Sequence, residues 1–199
     1  MEEYLTLILA CLVSYIFGAL PFAHRISIRK GIDIFSIGTG LAGASNVMKN
    51  VGRWSALMVL VFDIAKGALA VIVSGMMGVD GPLILFPASA AIFGHWNSIF
   101  TRFKGGDGMA IAGGIAIALF GGIGFFALFV AGIVSFLTQK LWITSLTSII
   151  FAYLSLLFLT HLFNKNEDIA VGFTAVVLLI LTHAMRGHAR RRKIAKQSE

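Results

Sequence analysis

Charge is scarce in this 199-residue chain: only 13% of its residues are Asp, Glu, Lys or Arg, against about a quarter in a soluble domain. Acidic residues are scarcer than basic ones, 9 against 16. There is one cysteine, Cys11, which excludes an intramolecular disulfide and a Cys-based metal site. No Gly-Lys dipeptide occurs, which excludes a Walker-type nucleotide loop. The N-terminus, Met-Glu-Glu-Tyr, lacks the basic residues of a secretory leader, so the apolar run from Tyr4 reads as a retained span. No soluble domain can be carved out, because the longest polar stretch is the tail from Arg186.

What the chain does have is apolar surface. Hydrophobic residues make up 58% of it, and the mean hydropathy is +0.90. A core of this size cannot hide so much, so the bilayer serves as solvent, and a soluble enzyme, a secreted disulfide scaffold and a disordered tail are all excluded. In a membrane protein a net charge of +7 points to a charge-sorted topology before it points to nucleic acid. Spanning a hydrocarbon core takes about 20 residues of helix. Residues 4–22, 54–76, 82–100, 141–162 and 169–185 meet this or nearly do. Residues 109–138 are too long for one span, and Gly121, Gly122 and Gly124 suggest a break into 109–120 and 122–138. With seven spans and the N-terminus outside, 14 of the 16 basic residues fall on the inner face; with six, the basic tail 186–199 would face away from the first two basic loops. The expectation is an all-α integral membrane protein, a single domain over 1–199, with seven transmembrane helices and a cytoplasmic C-terminus.

Three polar regions sit on that inner face. The first, residues 36–52, contains Gly38, Gly40 and Gly43 in the pattern Gly-x-Gly-x-x-Gly, with Asp63 20 residues beyond. A dinucleotide fold would need a βαβ unit there, but the next element is a membrane span. The local chemistry survives: glycines admit close backbone approach and a helix start can hold a phosphate. Thr39, Ser45 and Asn46 add donors, and Lys49 adds charge. The alternative is a Gly-rich helix-packing segment. The second region, 94–108, repeats the theme with Gly105, Gly106 and Gly108 beside Arg102 and Lys104. Two such loops on one face suggest an anionic, phosphate-bearing ligand. The third is Asp63 and Lys66, at i and i+3 on one helical face, read as a structural ion pair. His95 and His183 lie near inner span ends, and no metal-binding spacing of histidines occurs.

In these motifs the chain resembles the PlsY family, the bacterial membrane acyl-phosphate:glycerol-3-phosphate acyltransferases. The family's Ser-Tyr-x-x-Gly-Ser-x-Pro-Phe is matched from Ser14 to Phe22, its Gly-Ser-Gly-Asn-x-Gly-Ala-Thr-Asn-Val from Gly38 to Val47, its Asp-x-x-Lys-Gly from Asp63 to Gly67, its Gly-His loop from Gly94 to Gly108, and its last-span His by His183. The resemblance implies acyl transfer from acyl phosphate to the first hydroxyl of glycerol 3-phosphate, in a bacterial inner membrane, without a cofactor or metal and with no nucleic-acid partner. It implies catalytic roles for Thr39, Asn46, Lys104 and His183. It implies substrate contacts for Gly38, Gly40, Gly43, Ser45, Lys49, His95, Gly105, Gly106, Gly108 and Arg186.

The chain departs from the pattern at several positions. Leu41 replaces the first-loop Asn, Lys49 an Arg, Ala19 a Ser, Ser98 a Pro and Arg186 the last-span Asn. Asp107 stands where the family carries Lys, inverting a charge beside the expected phosphate site. These departures keep open a paralogue that binds lipid or acyl phosphate without turnover. A small transporter would favour internal repeats with paired broken helices, and the segments show no such symmetry.

Overall fold

The computed structural model describes residues 1–138 and 144–197, with side chains as far as Met185. Its regular structure is helical apart from one antiparallel bridge, Ser98 to Lys104. By internal packing the chain divides into two compact units, Met1–Leu119 and Phe120–Glu199.

The first unit opens with α1 (Glu2–Ala19). Its residues are distributed inside-out relative to a water-soluble helix. Ala10, Ser14 and Gly18, four residues apart on one stripe, are buried, while Leu5, Ile8, Leu12 and Ile16 are exposed. Lipid provides no hydrophobic drive between helices, so close approach of small residues holds them together. A Cβ on Gly18 would stand 1.8 Å from the Ala91 carbonyl oxygen, so α1 and α5 (Leu85–Trp96) meet backbone to backbone. Against α4 (Arg53–Met76), Ser14 Oγ bonds Ser74 Oγ at 3.0 Å and donates to Ala70 O. Between α4 and α6 (Met109–Phe120) the same device recurs: a Cβ on Gly114 would lie 1.9 Å from Ile64 O.

Two short helices, α2 (Phe22–Ile28) and α3 (Ala44–Asn50), flank the first Gly-rich loop. Within the span expected over 4–22 the helix breaks after Ala19, because Pro21 has no N–H to give and pushes Leu20 out of helical geometry (ψ 119), and α2 carries the apolar segment on to Ile28. The span expected over 82–100 is also broken. A 3₁₀ turn, Gly81–Ile84, leads into α5, which ends at Trp96; Asn97 leaves helical backbone, and a second 3₁₀ turn covers Ile99–Thr101. At 1.5 Å per residue α5 is about 18 Å long, short of the roughly 30 Å hydrocarbon core.

The second unit contains α7 (Gly122–Leu137), α8 (Thr144–Leu162) and α9 (Glu167–Gln197). The helix pattern breaks at Gly121, whose φ of +58 closes the turn before α7. Consecutive helices pack as neighbours: Tyr153 of α8 hydrogen-bonds Ala170 O and Thr174 Oγ1 of α9. The ring of Phe120, at the end of α6, also meets Phe173 of α9 edge-on. Residues 141–143 of the sixth expected span lie outside the described residues. The expected last span, 169–185, is part of a longer helix that begins at Glu167 and carries its backbone through the basic tail to Gln197. Four helical segments are long and apolar enough to cross a membrane among the described residues: Glu2–Ile28, Arg53–Met76, Thr144–Leu162 and Glu167–Met185.

Candidate functional site

Both Gly-rich loops lie in the first unit and meet. The Ala42 N–H donates to Gly105 O at 3.0 Å, and the Gly106 N–H donates to His95 O at 3.2 Å.

The first loop is organised around Asn46, which is 2% exposed. Its amide nitrogen faces the carbonyls of Ile34, Ile37 and Leu41 at 3.0–3.1 Å, and its oxygen accepts from the Thr39 N–H and from Asn50 Nδ2. Both ends of this amide are therefore spent on the chain itself, and Asn46 holds the loop. Gly38 (φ +56) has to be glycine twice over, because a Cβ there would also lie 2.2 Å from Asn46 Oδ1. Thr39, Ser45 and Lys49 are exposed on the outside of the loop.

The second loop is a tight, hydrogen-bonded turn. Ser98 Oγ donates to Ala19 O at 2.6 Å, tying the loop to the end of α1, and accepts the Phe100 N–H. The Phe103 N–H donates to Ser98 O and the Lys104 N–H to Thr101 O. Arg102 and Phe103 both have positive φ, +52 and +60, a conformation unusual for non-glycine residues that clusters at functional sites. The turn carries the exposed Lys104, whose ammonium stands 5.6 Å over the Phe35 ring of the first loop. Trp96 Nε1 donates to Asp107 O at 3.1 Å. Asp107 Oδ1 accepts the Met109 N–H at the start of α6 and stands 4.0 Å from the position of a Cβ on Gly43, the residue that precedes α3. The carboxylate thus sits between two helix N-termini, where positive dipole ends stabilise an anion.

Beneath the loops lies a buried charged cluster. Lys66 Nζ contacts Asp63 Oδ1 at 2.9 Å, His95 Nδ1 at 2.9 Å and Leu20 O at 3.2 Å. Asp63 and Lys66 are each 3% exposed in their side chains. The cluster forms the floor of a polar cleft of about 20 Å³, whose walls include Ala19–Ala23, Phe35, Ala42, Ser98, Thr101 and Lys104–Gly106. That volume holds about one water molecule.

The structure therefore brings together, in one unit, the two loops with Thr39, Asn46, Lys104, His95 and the glycines between them. His183 is half-buried on α9 of the second unit, where Arg186 belongs to the same helix and its side chain lies outside the described ones. Sequence reasoning missed Asn50, Phe35, Trp96 and Ser98. Trp96 and Ser98 act through a neighbouring element that no local pattern reveals, and Asn50 was one turn away from Asn46 at i+4.

Residues 8–192 match the family described as glycerol-3-phosphate acyltransferase. Glycerol-3-phosphate acyltransferase 1 of Deinococcus radiodurans is 39% identical over 115 residues, 58% of each chain. The glycerol-3-phosphate acyltransferase of Thermosipho melanesiensis is 34% identical over 176 residues, covering 86% of this chain and 82% of that one. Among solved structures, the glycerol 3-phosphate form of PlsY, an integral membrane glycerol 3-phosphate acyltransferase, superposes with a TM-score of 0.76 at 25% identity, over 95% of this chain and 92% of that one. Its lysophosphatidic acid form, at 23% identity and a TM-score of 0.72, shares the fold.

Proposed function

The chain belongs to the glycerol-3-phosphate acyltransferase family, and on that premise we propose that it moves a fatty acyl group from acyl phosphate to the sn-1 hydroxyl of glycerol 3-phosphate. It is a multi-pass membrane acyltransferase of phospholipid synthesis. The observation that carries the finer reading is the meeting of two Gly-rich loops, with the ammonium of Lys104 above them. Backbone N–H groups and one mobile cation suit a phosphate.

In the reaction the glycerol 3-phosphate hydroxyl oxygen attacks the acyl carbonyl carbon. The bond from that carbon to the phosphate oxygen breaks, inorganic phosphate leaves, and lysophosphatidate forms. Acyl phosphate is already activated, so no covalent enzyme intermediate and no cofactor is required. The hydroxyl proton passes to a phosphate oxygen of the substrates. The protein contributes position and stabilisation of charge on the leaving phosphate, with Lys104 and the Gly105–Gly106 and Gly40–Gly43 backbone as the groups in reach of it. Thr39, Ser45 and Lys49, on the outer side of the first loop, approach the acceptor. An apolar groove of about 510 Å³ between α1 and α5, lined by Leu7, Ile8, Cys11, Leu12, Tyr15, Phe86, Ala90 and Phe93, supports a place for the acyl chain.

The topology that accompanies this reading is a single membrane domain over 1–199 with seven spans, N-terminus out and C-terminus in, in a bacterial inner membrane. Cysteine labelling at residues 2 and 196 from either side of oriented vesicles tests it. For the reaction, purified protein in lipid vesicles is given palmitoyl phosphate and glycerol 3-phosphate, and phosphate release and lysophosphatidate are measured. Absence of both products, under conditions where the Thermosipho melanesiensis relative is active, refutes the proposal and favours a paralogue that binds without turnover.

A further inference from the structure

We propose that the buried Asp63–Lys66 pair is a positioning device for His95: it fixes the imidazole as the Nε2–H tautomer and sets that edge against Gly106, so that the second glycine loop takes its shape from the helix below. The proposal deepens the acyltransferase reading and rests on it for the kinetic part.

The hydrogen-bond inventory of Lys66 carries the first half. An ammonium has three donors and no acceptor. All three neighbours of Nζ, namely Asp63 Oδ1, Leu20 O and His95 Nδ1, stand at 2.9–3.2 Å. Two of them can only accept, so the third ammonium proton is directed at His95 Nδ1. A ring nitrogen that accepts carries no proton, which leaves the proton of the neutral ring on Nε2. Asp63 supplies the charge that keeps the ammonium in place in a span where an unpaired cation is costly.

The geometry of Gly106 carries the second half. A Cβ on that residue would stand 2.3 Å from His95 Nε2, 2.9 Å from Cε1 and 2.7 Å from Ala42 O. The imidazole edge is thus in direct contact with the loop backbone, and its neighbours reinforce the hold: the Gly106 N–H donates to His95 O and Trp96 Nε1 to Asp107 O. Ring orientation at Nδ1 is set by α4, and its consequence at Nε2 is felt by the phosphate loop. In this arrangement Lys66 acts through His95.

The test uses the full-length protein in lipid, labelled with ¹⁵N-histidine. His95→Gln serves as the reference that assigns one of the five histidines. In the wild type the His95 signals are expected to show a protonated Nε2 and an unprotonated Nδ1. A proton on Nδ1 alone, or on both nitrogens, at neutral pH overturns the proposal, and this arm needs no altered protein to fold. The second arm replaces the pair together, Asp63→Leu with Lys66→Met, so that no buried charge is left alone. The expected result is loss of the single-tautomer signature, with the KM for acyl phosphate raised at least tenfold and kcat reduced by less than threefold. An unchanged tautomer and unchanged KM overturn the proposal and leave the pair a packing element. If the wild type shows the expected tautomer but transfers no acyl group, it is the acyltransferase reading that has failed.

Discussion

Replacing Asp107 by Asn removes one negative charge and little else. The amide oxygen of Asn can still accept the Met109 N–H, which Asp107 Oδ1 accepts at 3.3 Å, so the start of α6 keeps its cap to within a few tenths of a kcal/mol. Asp107 neighbours Gly106, and adjacent Cα atoms are 3.8 Å apart, which puts a phosphate held at the loop on the order of 6 Å from the carboxylate. At an effective dielectric of about 20 two unit charges at that distance repel by about 3 kcal/mol, falling to about 1 where water screens them. Half-buried Asp107 lies between these limits. Relief of about 1–3 kcal/mol corresponds to roughly a 5- to 150-fold lower KM for the phosphorylated substrate. The assay is phosphate release from palmitoyl phosphate in vesicles, at varied concentrations of each substrate, with the melting temperature measured on the same preparations. Asp107→Lys, which installs the residue of the family motif, should move KM further in the same direction. A fall in kcat of tenfold or more in Asp107→Asn at unchanged melting temperature refutes the reasoning, since it makes the carboxylate a requirement and not a repulsive neighbour.

Other changes test the scaffold. Asn46→Ala removes the donors that serve three loop carbonyls and the acceptor of the Thr39 N–H; at about 1 kcal/mol per lost bond the first loop should exchange its amide hydrogens at least tenfold faster, with acyl transfer lost. Gly106→Ala places a methyl against His95 Nε2 of α5 and 2.7 Å from the backbone oxygen of Ala42 in the first loop, so the two loops must shift apart; it should abolish activity and lower the melting temperature. Gly18→Leu cannot be absorbed in that way, since a backbone carbonyl of α5 stands in the space; a cost of about 3 kcal/mol or more should appear as loss of folded protein after extraction. Lys104→Met keeps the stem over Phe35 and removes the charge, and should raise KM with little change in stability.

How much of this was legible in the sequence depended on how local each feature is. Asp63 and Lys66 declare themselves by an i, i+3 spacing inside an apolar run, and the structure joins them at 2.9 Å. Their third partner, His95, comes from another helix, and nothing in the spacing could link the two. Gly121 is legible as a break because a positive φ favours glycine. The break at Asn97 is not, because α5 ends where Ser98 finds the Ala19 carbonyl, a contact 79 residues away in sequence. Pro21 is visible in the sequence, yet hydropathy alone carried the first span past it; the missing N–H, and not polarity, ends α1. The expectation of a phosphate site in the loops comes from their glycine and lysine content. The use of Asn46 as an internal tie was not, since a buried amide and a ligand-facing amide look alike in sequence.

The depth of the charged floor has a consequence for the energetics of the substrate itself. Lys66 lies 13 residues beyond Arg53, about 20 Å along the helix axis, in a helix whose whole length is only a little greater than the hydrocarbon core. On the proposed topology the cleft above it opens within reach of the acyl tails rather than out among the headgroups. Drawing a fatty chain into water costs about 0.8 kcal/mol per methylene, on the order of 10 kcal/mol for a palmitoyl group. In the proposed reaction a polar floor this deep lets the chain remain dissolved in the bilayer throughout the transfer, and it is the small, soluble glycerol 3-phosphate that makes the journey.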